Sequence, residues 1–390
     1  MATQNISGTC EPAFEEVRRV FEQNFRERNE VGAGVAVAVD GRMVVELWGG
    51  FADQARTRPW QRDTLVNVYS TTKGMTALCA QRLVDAGKLD LDAPVSRYWP
   101  EFAAAGKATL PVRWLLAHRA GLAAVREPLP PEALYDWDAM CRALAAETPW
   151  WTPGEKHGYH AVTFGWLVGE VVRRIDGRSL GRYFRDEVAS PLGAEFYIGT
   201  PDSLHPRVGE MSGIPLPEPG SEGIGLAELV AGDPQGLASR AFMNPPSMAL
   251  GPNTPEWRRA EIPGANGHAT AHGIARVYGA LARGGEQDGV QVLSRAGIER
   301  CRTEQAHGPD HVLQIGTRVG QGFMLSQDRP LAAFGPSPGA FGHPGAGGSV
   351  GFADPSRKVG FGYVMNRMGP HILLDPRADA LIAAVYAALD

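Results

Sequence analysis

Hydrophobic residues near the N-terminus follow first a helical and then a strand-like spacing. In residues 11–28 apolar side chains recur at every third or fourth position, which predicts an amphipathic helix. These side chains are Phe14, Val17, Val20, Phe21 and Phe25. The next two apolar runs, residues 34–39 and 43–48, have the length of strands, and Asp40-Gly41 between them is a strong hairpin signal. The chain therefore opens with a helix and an antiparallel hairpin.

The pattern changes in the middle of the chain, where short helical runs alternate with long loops. A helix is predicted for residues 72–86, with Gly87 as its C-terminal stop. Pro and Trp are frequent beyond it, and the helical runs there are residues 110–117, 137–146, 163–175 and 180–188. The stretch 200–253 is dense in Gly and Pro, which is typical of loops that shape a binding cleft.

Regular structure returns in the last third of the chain. Helices are predicted for residues 269–283 and 378–389, and strands for residues 321–325, 348–353 and 358–366. Strands near both chain ends indicate one α/β domain, built from residues 1–90 and 265–390. A mostly helical domain, residues 91–264, is predicted to be inserted between the two halves. We expect the active site in the cleft between the domains.

The composition is that of an ordinary globular protein and narrows the function classes. Of 390 residues, 44% are hydrophobic and 21% charged, and 38 basic against 43 acidic side chains give a net charge of −5. No basic excess indicates a nucleic-acid partner. Pairs such as Arg173-Arg174 and Arg258-Arg259 are interpreted as solvated helix faces rather than as a binding patch.

The lack of a visible secretory signal and the wide spacing of the cysteines predict a reducing compartment. The sequence shows neither a secretory signal nor the roughly 18 consecutive apolar residues that a membrane span requires. Cys10, Cys79, Cys141 and Cys301 lie far apart and lack the spacing of metal ligands, so we expect free buried thiols. The prediction is a cytoplasmic protein that does not associate with a membrane.

The sharpest chemical signal is Ser70-Thr71-Thr72-Lys73, at the start of a predicted helix. Three residues make nearly one helical turn, so Ser70 and Lys73 lie on one face. A serine hydroxyl is a weak nucleophile at neutral pH and needs a base. A lysine can serve if burial or nearby cations keep part of it neutral. The motif therefore indicates a nucleophilic serine, although four residues alone do not identify an enzyme class.

The residues around this motif resemble the nucleophile segment of class C β-lactamase-like serine hydrolases, over residues 66–75. Three further segments follow in that family's order. Residues 115–122 are similar to its Leu-Leu-x-His-x-x-Gly-Leu stretch, residues 151–160 to the segment that leads into its tyrosine, and residues 342–348 to its Lys-Thr-Gly strand. The resemblance, from about residue 35 to 364, implies an antiparallel sheet flanked by helices with an inserted helical domain, as in serine β-lactamases and penicillin-binding proteins.

Two departures make the chain most similar to the family VIII carboxylesterases. The Tyr-x-Asn element of β-lactamases here reads Tyr159-His160-Ala161, and His343 replaces the lysine of Lys-Thr-Gly. In β-lactamases those two groups help to hold the amide and the carboxylate of the substrate. The resemblance thus implies a serine carboxylesterase that takes short-chain esters, including aryl esters, as its small-molecule substrates and recognises β-lactams less well.

The resemblance and the chemistry together assign roles to individual residues. Ser70 attacks the ester carbonyl, Lys73 accepts the proton, and Tyr159 passes it to the leaving alkoxide. The backbone N–H groups of Ser70 and Ala346 are predicted to form the oxyanion hole, since Pro344 has no N–H to donate. Substrate contacts are expected from His343, Gly345, Trp151 and His160. The mechanism requires neither a metal nor another cofactor.

Three other patterns are interpreted as structural. Residues 347–351 match Gly-x-Ser-x-Gly around Ser349, but a strand-like run follows them instead of the helix that a nucleophile elbow needs. His268 and His272 have the spacing of a zinc-binding helix but lack the glutamate and a third ligand. His118 is expected to belong to a structural turn, because Lys73 already fills the role of base.

Other functions of the same residues stay open at this point. A β-lactamase, a D-amino-acid peptidase, an acyltransferase and a small-amide hydrolase all pass through an acyl-enzyme. Outside the enzyme class, the alternative is a non-catalytic relative that binds acyl ligands. The intact set of Ser70, Lys73 and Tyr159 argues against it. The natural substrate, the acyl chain length and the oligomeric state are not determined by the sequence.

Overall fold

The largest element of the fold is a sheet of antiparallel strands drawn from both ends of the chain. The computed structural model describes residues 5–213, 225–246, 251–329 and 331–390. The strands within these residues are β1 (Ile6–Cys10), β2 (Gly32–Val39), β3 (Arg42–Gly50), β4 (Val66–Asn67), β5 (Phe196–Tyr197), β6 (His268–Ala269), β7 (Glu286–Gln287), β8 (Val290–Gln291), β9 (Ala306–Pro309), β10 (Gly316–Val319), β11 (Met324–Leu325), β12 (Phe341–Pro344), β13 (Val350–Asp354) and β14 (Val359–Met365). The large sheet has the order β1-β3-β2-β14-β13-β12-β11-β10-β9, a small sheet has the order β4-β6-β5, and β7 and β8 form a hairpin.

Helices flank the large sheet and occupy the chain between its two halves. They are α1 (Glu15–Glu27), α2 (Thr72–Asp85), α3 (Val112–Leu116), α4 (Trp137–Ala146), α5 (Phe164–Asp176), α6 (Leu180–Phe184), α7 (Ser190–Leu192), α8 (Leu226–Gly232), α9 (Leu237–Met243), α10 (Pro255–Arg259), α11 (Ala271–Ala282), α12 (Arg295–Arg302) and α13 (Pro376–Ala387). The predicted fold class, a mixed α/β protein with an antiparallel sheet flanked by helices, is confirmed. The division into residues 1–90 with 265–390 and residues 91–264 stays a prediction.

Strand β14 alternates glycine with aromatic residues, and this alternation decides how closely helices approach the sheet. Successive side chains of a strand point to opposite faces. Gly360 and Gly362 face α11, and a Cβ at Gly360 would lie 2.2 Å from the backbone nitrogen of Gly279. Phe361 points to the opposite face and stacks on Phe352, with 5.1 Å between ring centroids. Helix α11 therefore lies against the backbone of the sheet, while aromatic rings fill the other side.

Several predicted boundaries are corrected by the structure. The helix predicted for residues 269–283 begins only at Ala271, because His268 and Ala269 form β6. The strand predicted for residues 321–325 is reduced to β11. The helix predicted for residues 180–188 passes into a π-helical turn at Arg185–Ala189. Strands β1 and β9 were not indicated by the pattern, because they are edge strands whose residues are exposed or half-buried.

The Gly- and Pro-rich stretch predicted to shape a cleft is only partly described. Residues 214–224 and 247–250 lie outside the described residues. The remainder contains α8 and α9 and a 3₁₀ turn at Asp202–Arg207, so it is less irregular than expected.

The cysteines are unpaired, as their spacing predicts. Cys79, Cys141 and Cys301 are buried, whereas Cys10 on the edge strand is only partly buried. None of the helices in the described part of the chain combines the length and the apolar character that a bilayer crossing demands.

Gly360→Ala is expected to lower the free energy of unfolding by about 1–3 kcal/mol, the usual cost of overpacking a filled interior. The added methyl group would collide with the backbone of α11, which cannot rotate away as a side chain can. Gly316→Ala in β10 is the matched control, since a Cβ there meets Leu331 at an ordinary 3.6 Å. Urea unfolding measures both variants. If Gly360→Ala were as stable as the unmodified chain, α11 would be able to move away from the sheet without a cost in free energy.

Candidate active site

Ser70 lies in a strained turn between β4 and α2. Tyr69, the residue before it, has a φ of +42°, a region that residues with side chains seldom adopt. Such conformations persist where the surroundings fix them, and they are common at functional sites. Here the backbone N–H groups of Thr71 and Thr72 donate to the carbonyls of Val68 (3.1 Å) and Tyr69 (3.0 Å). The turn leaves Ser70 half-buried while its neighbours are buried.

Lys73 is fully buried and surrounded by oxygen atoms. Its Nζ lies 2.6 Å from the carbonyl oxygen of Ala161, 2.7 Å from that of Gly264 and 3.1 Å from Ser70 Oγ. Burial lowers the pKa of Lys73 well below its usual value, because the charged form is desolvated. A neutral amine has two N–H bonds and one lone pair. The two carbonyls accept both N–H bonds, so the lone pair is left for the hydroxyl of Ser70.

Tyr159 completes the group around the serine hydroxyl. The hydroxyls of Tyr159 and Ser70 are hydrogen-bonded, and Lys73 Nζ lies 4.7 Å from the centroid of the tyrosine ring. Burial raises the pKa of Tyr159 well above its usual value, although the bond to Ser70 lowers it in part. The phenol is therefore protonated at neutral pH, and it can donate its proton to a leaving group.

Asp310, a residue absent from the predicted site, fixes the backbone of Tyr159. Its Oδ1 accepts the N–H of Tyr159 at 3.0 Å and those of Val312 and Leu313 at 2.8 Å each. The two later contacts form an Asx-type turn, which the sequence could have suggested. The contact with Tyr159, however, crosses 151 positions of the chain, so only the tertiary structure reveals it.

Gly345 allows the end of β12 to approach the nucleophile turn. A Cβ at this position would lie 2.3 Å from the carbonyl oxygen of Val68, so every other residue would push the two segments apart. Among the described residues, neither the N–H of Ser70 nor that of Ala346 has an acceptor. Both groups are therefore available to an oxyanion.

Ser349 is tied to the same turn as a structural residue. Its Oγ donates to the carbonyl of Val68 at 2.8 Å and lies 3.2 Å from the Oγ1 of Thr71. The side chain is 1% exposed. A hydroxyl that is buried and already bonded to a carbonyl is poorly placed to attack a substrate, as the strand-like run after it predicts.

His160 supports the 118–122 segment and has no ring nitrogen left for a substrate. Its Nδ1 donates to the carbonyl of Gly158 at 2.7 Å, and its Nε2 accepts the N–H of Leu122 at 3.1 Å. The backbone N–H of His160 in turn donates to Nδ1 of His118, which has a φ of +57° in the turn expected for it. Both histidines therefore shape the wall behind Tyr159.

His343 lies beside Tyr159, with 5.9 Å between the ring centroids. Its Nδ1 donates to the carbonyl of Pro344 at 2.7 Å, because a carbonyl can only accept. Burial lowers the pKa of His343 to about 3, so the ring is neutral. In His343 a neutral, hydrogen-bond-accepting side chain thus stands where the resemblance expects a cation.

Trp151 packs against Gly158 on the approach to Tyr159. A Cβ added at Gly158 would lie 2.8 Å from the indole.

The histidine pair with zinc-like spacing is separated by the fold. His268 lies on β6 and is fully buried, whereas His272 lies on α11 and contacts Glu46 at 3.1 Å. In the described ranges, no group of three or more His, Cys, Asp or Glu side chains is arranged to hold a metal ion.

Comparison with known proteins identifies the family. A family model described as Beta-lactamase matches residues 17–385. The chain belongs to the beta-lactamase family. It is 38% identical over 384 residues to the esterase/beta-lactamase LipL of Mycobacterium tuberculosis, covering 96% of this chain and 86% of LipL. A crystal structure of a family VIII carboxylesterase is 44% identical, with a TM-score of 0.90 over 98% of this chain and 100% of that chain.

A penicillin-binding protein homologue from Caulobacter crescentus is similar to the same extent, with 44% identity and a TM-score of 0.89 over 98% of this chain and 100% of that one. The resemblance to class C β-lactamase-like hydrolases and to family VIII carboxylesterases is therefore confirmed. The mixed α/β fold described above is also the fold of these two similar structures.

Ser70→Ala should abolish covalent labelling by a fluorophosphonate, whereas Ser349→Ala should still be labelled at Ser70. We expect Ser349→Ala to lower the free energy of unfolding by about 1 kcal/mol, because it removes the hydrogen bond to Val68. Intact mass spectrometry and peptide mapping locate the adduct. An adduct on Ser349 of the unmodified chain would contradict the assignment.

The lowered pKa of Lys73 sets the direction of the pH dependence of kcat/KM. Activity should fall on acidification, because protonation occupies the lone pair that faces Ser70, and should be fully developed well below the usual lysine pKa of about 10.4. Initial rates with p-nitrophenyl acetate measure the profile. Lys73→Arg, which stays protonated throughout, should be inactive at every pH. A rate that rises only near pH 10 would show that the pKa of Lys73 is not lowered, and activity retained in Lys73→Arg would show that Lys73 is not the base.

Proposed function

We propose that the protein is a serine carboxylesterase that hydrolyses short-chain and aryl esters through an acyl-Ser70 intermediate. The observation that carries this proposal is the environment of Lys73, whose Nζ lies within hydrogen-bond distance of two carbonyl oxygens and of Ser70 Oγ. A neutral amine at this place gives its two N–H bonds to the carbonyls and can accept the proton of Ser70. That arrangement supplies the base that a serine nucleophile needs. The implied partner is a small ester molecule.

In the acylation step, Ser70 Oγ attacks the ester carbonyl while its proton passes to Lys73 Nζ. The carbonyl oxygen becomes an oxyanion, which accepts the N–H groups of Ser70 and Ala346. When the tetrahedral intermediate collapses, the bond to the alkoxide breaks. Tyr159 donates its proton to the alkoxide and regains one from Lys73, so that alcohol leaves and the acyl group stays on Ser70.

In the deacylation step, a water molecule attacks the acyl carbonyl while Lys73 and Tyr159 take up its proton. The same two backbone N–H groups hold the second oxyanion. The bond to Ser70 Oγ then breaks, the proton returns to that oxygen, and the carboxylic acid is released. Each step uses only groups that surround Ser70 in the structure.

The side chains next to this machinery favour esters over β-lactams. Position 161 carries a methyl group in place of an amide, and position 343 carries a neutral imidazole in place of an ammonium. The carboxylate of a β-lactam would thus lack a cation at position 343. An ester also has a better leaving group than an amide and demands less of Tyr159. The name of the similar family VIII carboxylesterase supports the same choice, whereas LipL is named both an esterase and a beta-lactamase.

Activated esters such as p-nitrophenyl butyrate should therefore be hydrolysed with a kcat/KM at least roughly a hundredfold above that for nitrocefin. A β-lactam loses hydrogen bonds at two positions, 161 and 343. The loss of a hydrogen bond to a charged group costs about 1.5–3 kcal/mol, and about 1.4 kcal/mol corresponds to a factor of ten in kcat/KM. Slow opening of nitrocefin is compatible, because the nucleophile is shared. Equal or faster hydrolysis of nitrocefin would make the protein a β-lactamase.

A matched pair of variants tests the physical reason for this preference. Ala161→Asn combined with His343→Lys should raise the kcat/KM for nitrocefin relative to that for the ester. His307→Lys adds the same charge on an exposed surface residue and should leave the ratio unchanged. An unchanged ratio in the double variant would show that these two positions do not decide substrate choice.

A further inference from the structure

Four polar side chains beside the nucleophile turn, Asn67, Thr200, Arg258 and His268, form a group that the proposed reaction does not use. We call this group the Arg258 cluster. Asn67 and His268 are cross-strand partners on β4 and β6. The N–H of Thr200 donates to the carbonyl of Arg258 at 2.6 Å, and Trp257 donates its indole N–H to Asn67 Oδ1 at 3.0 Å. These contacts bring the four residues together.

The Arg258 cluster contains unsatisfied polar atoms. Within the described residues, three of its buried atoms have no hydrogen-bond partner: Asn67 Nδ2, Thr200 Oγ1 and Arg258 Nε. The ring of His268 has the backbone of Asn266 as a partner. Asn67, Thr200 and His268 are each at most 1% exposed. Buried polar groups in native proteins are nearly always hydrogen-bonded, so three unpaired atoms on neighbouring residues point to a ligand.

The charge of Arg258 is also unbalanced. Its neighbour Arg259 pairs with Asp202 at 2.6 Å, whereas no carboxylate of the described residues pairs with Arg258. Partial burial and, to a lesser extent, the positive charge of nearby Arg58 lower the pKa of Arg258. Partly buried charges are normally paired. The half-buried Arg258 therefore differs from its exposed neighbour Arg259, which lies on a solvated helix face as the interpretation of the pair predicts.

Arg173 and Arg174 are partly exposed, as the interpretation of this pair as a solvated helix face predicts. Both guanidinium groups lie 2.7 Å from the carboxylate of Glu170, whose side chain is fully buried. That pair has its counter-charge within the described residues, so it needs no ligand. Arg258, by contrast, is half-buried and has no counter-charge within the described residues.

The chemistry of the unpaired atoms selects an anion over a cation. The amide of Asn67, the hydroxyl of Thr200 and the Nε of Arg258 all carry hydrogen-bond donors. Burial lowers the pKa of His268 to about 3, although a hydrogen bond with the backbone of Asn266 raises it in part, so its ring is neutral. Nearby Arg58 gives its N–H groups to the backbone carbonyls of Pro206, Ala52 and Val208, whereas Arg258 has no such partner within the described residues and can balance one negative charge. The donor set therefore suits a small monovalent anion that several N–H and O–H groups can surround.

We propose that the Arg258 cluster is a binding site for a small inorganic anion of the halide class. The anion accepts hydrogen bonds from Asn67, Thr200 and Arg258, and its charge balances that of Arg258. Strands β4 and β6 also support the nucleophile turn, since the N–H of Val68 donates to Gly267 at 2.8 Å and the N–H of Gly267 to Thr72 Oγ1 at 2.9 Å. Binding therefore stabilises the strand pair on which the turn of Ser70 rests.

Bromide locates the site directly. Crystals of the full chain grown in sodium bromide should show an anomalous difference peak within hydrogen-bond distance of Arg258 Nε and Thr200 Oγ1. Ordered water without an anomalous signal at this place would overturn the proposal, and so would tight packing of the four side chains with no molecule between them.

Thermal unfolding tests the site in solution. When chloride replaces gluconate at constant ionic strength, the midpoint temperature of the unmodified chain should rise and saturate, because an anion that binds the folded state stabilises it. Arg258→Gln and Thr200→Val should each weaken the apparent chloride affinity at least tenfold. Thr200→Val keeps the shape and the charge of the site, so it remains informative if Arg258→Gln fails to fold.

Arg142→Gln is the matched control, because Arg142 is exposed on α4 and distant in sequence from the cluster. It should respond to chloride as the unmodified chain does. An equal response in Arg258→Gln, Thr200→Val and Arg142→Gln would overturn the proposal, since the anion would then act elsewhere.

Discussion

The site depends on the burial of the Lys73 amine between two backbone carbonyls. Burial makes the charged form costly, and the carbonyls of Ala161 and Gly264 accept the two N–H bonds that a neutral amine retains. The remaining lone pair has one partner in reach, the hydroxyl of Ser70. A lysine in water would hold its proton at neutral pH and could not act as a base. The fold therefore determines the chemistry by controlling the charge of one side chain.

This arrangement requires that segments far apart in the chain lie very close to one another. Gly360 lets α11 touch the sheet, and Gly345 lets the end of β12 reach the carbonyl of Val68. Ser349 then ties that carbonyl in place through its hydroxyl. Small residues thus serve the site without taking part in the reaction, because they determine the distance between the nucleophile turn and the N–H group of Ala346.

Electrostatics next to the nucleophile differ from those that the resemblance to β-lactamases implies, although the fold is shared. His343, beside Tyr159, is neutral, and its Nδ1 is occupied by the carbonyl of Pro344. The backbone N–H groups of Ser70 and Ala346 are unaffected by this difference. The cation that would meet a substrate carboxylate is therefore absent from position 343, which supports the proposed preference for neutral esters.

The sequence by itself determined what is local. Ser70 and Lys73 are one helical turn apart, so their proximity follows from the period of the helix. The hairpin of β2 and β3 and the long helices follow from their apolar spacing, and family resemblance added Tyr159. The tertiary structure alone decided which distant atoms meet these residues. The carbonyls that set the charge of Lys73 come from 88 and 191 positions away, and Asp310 reaches Tyr159 across 151. Such contacts leave no periodic signal, because their partners are backbone atoms that every residue carries.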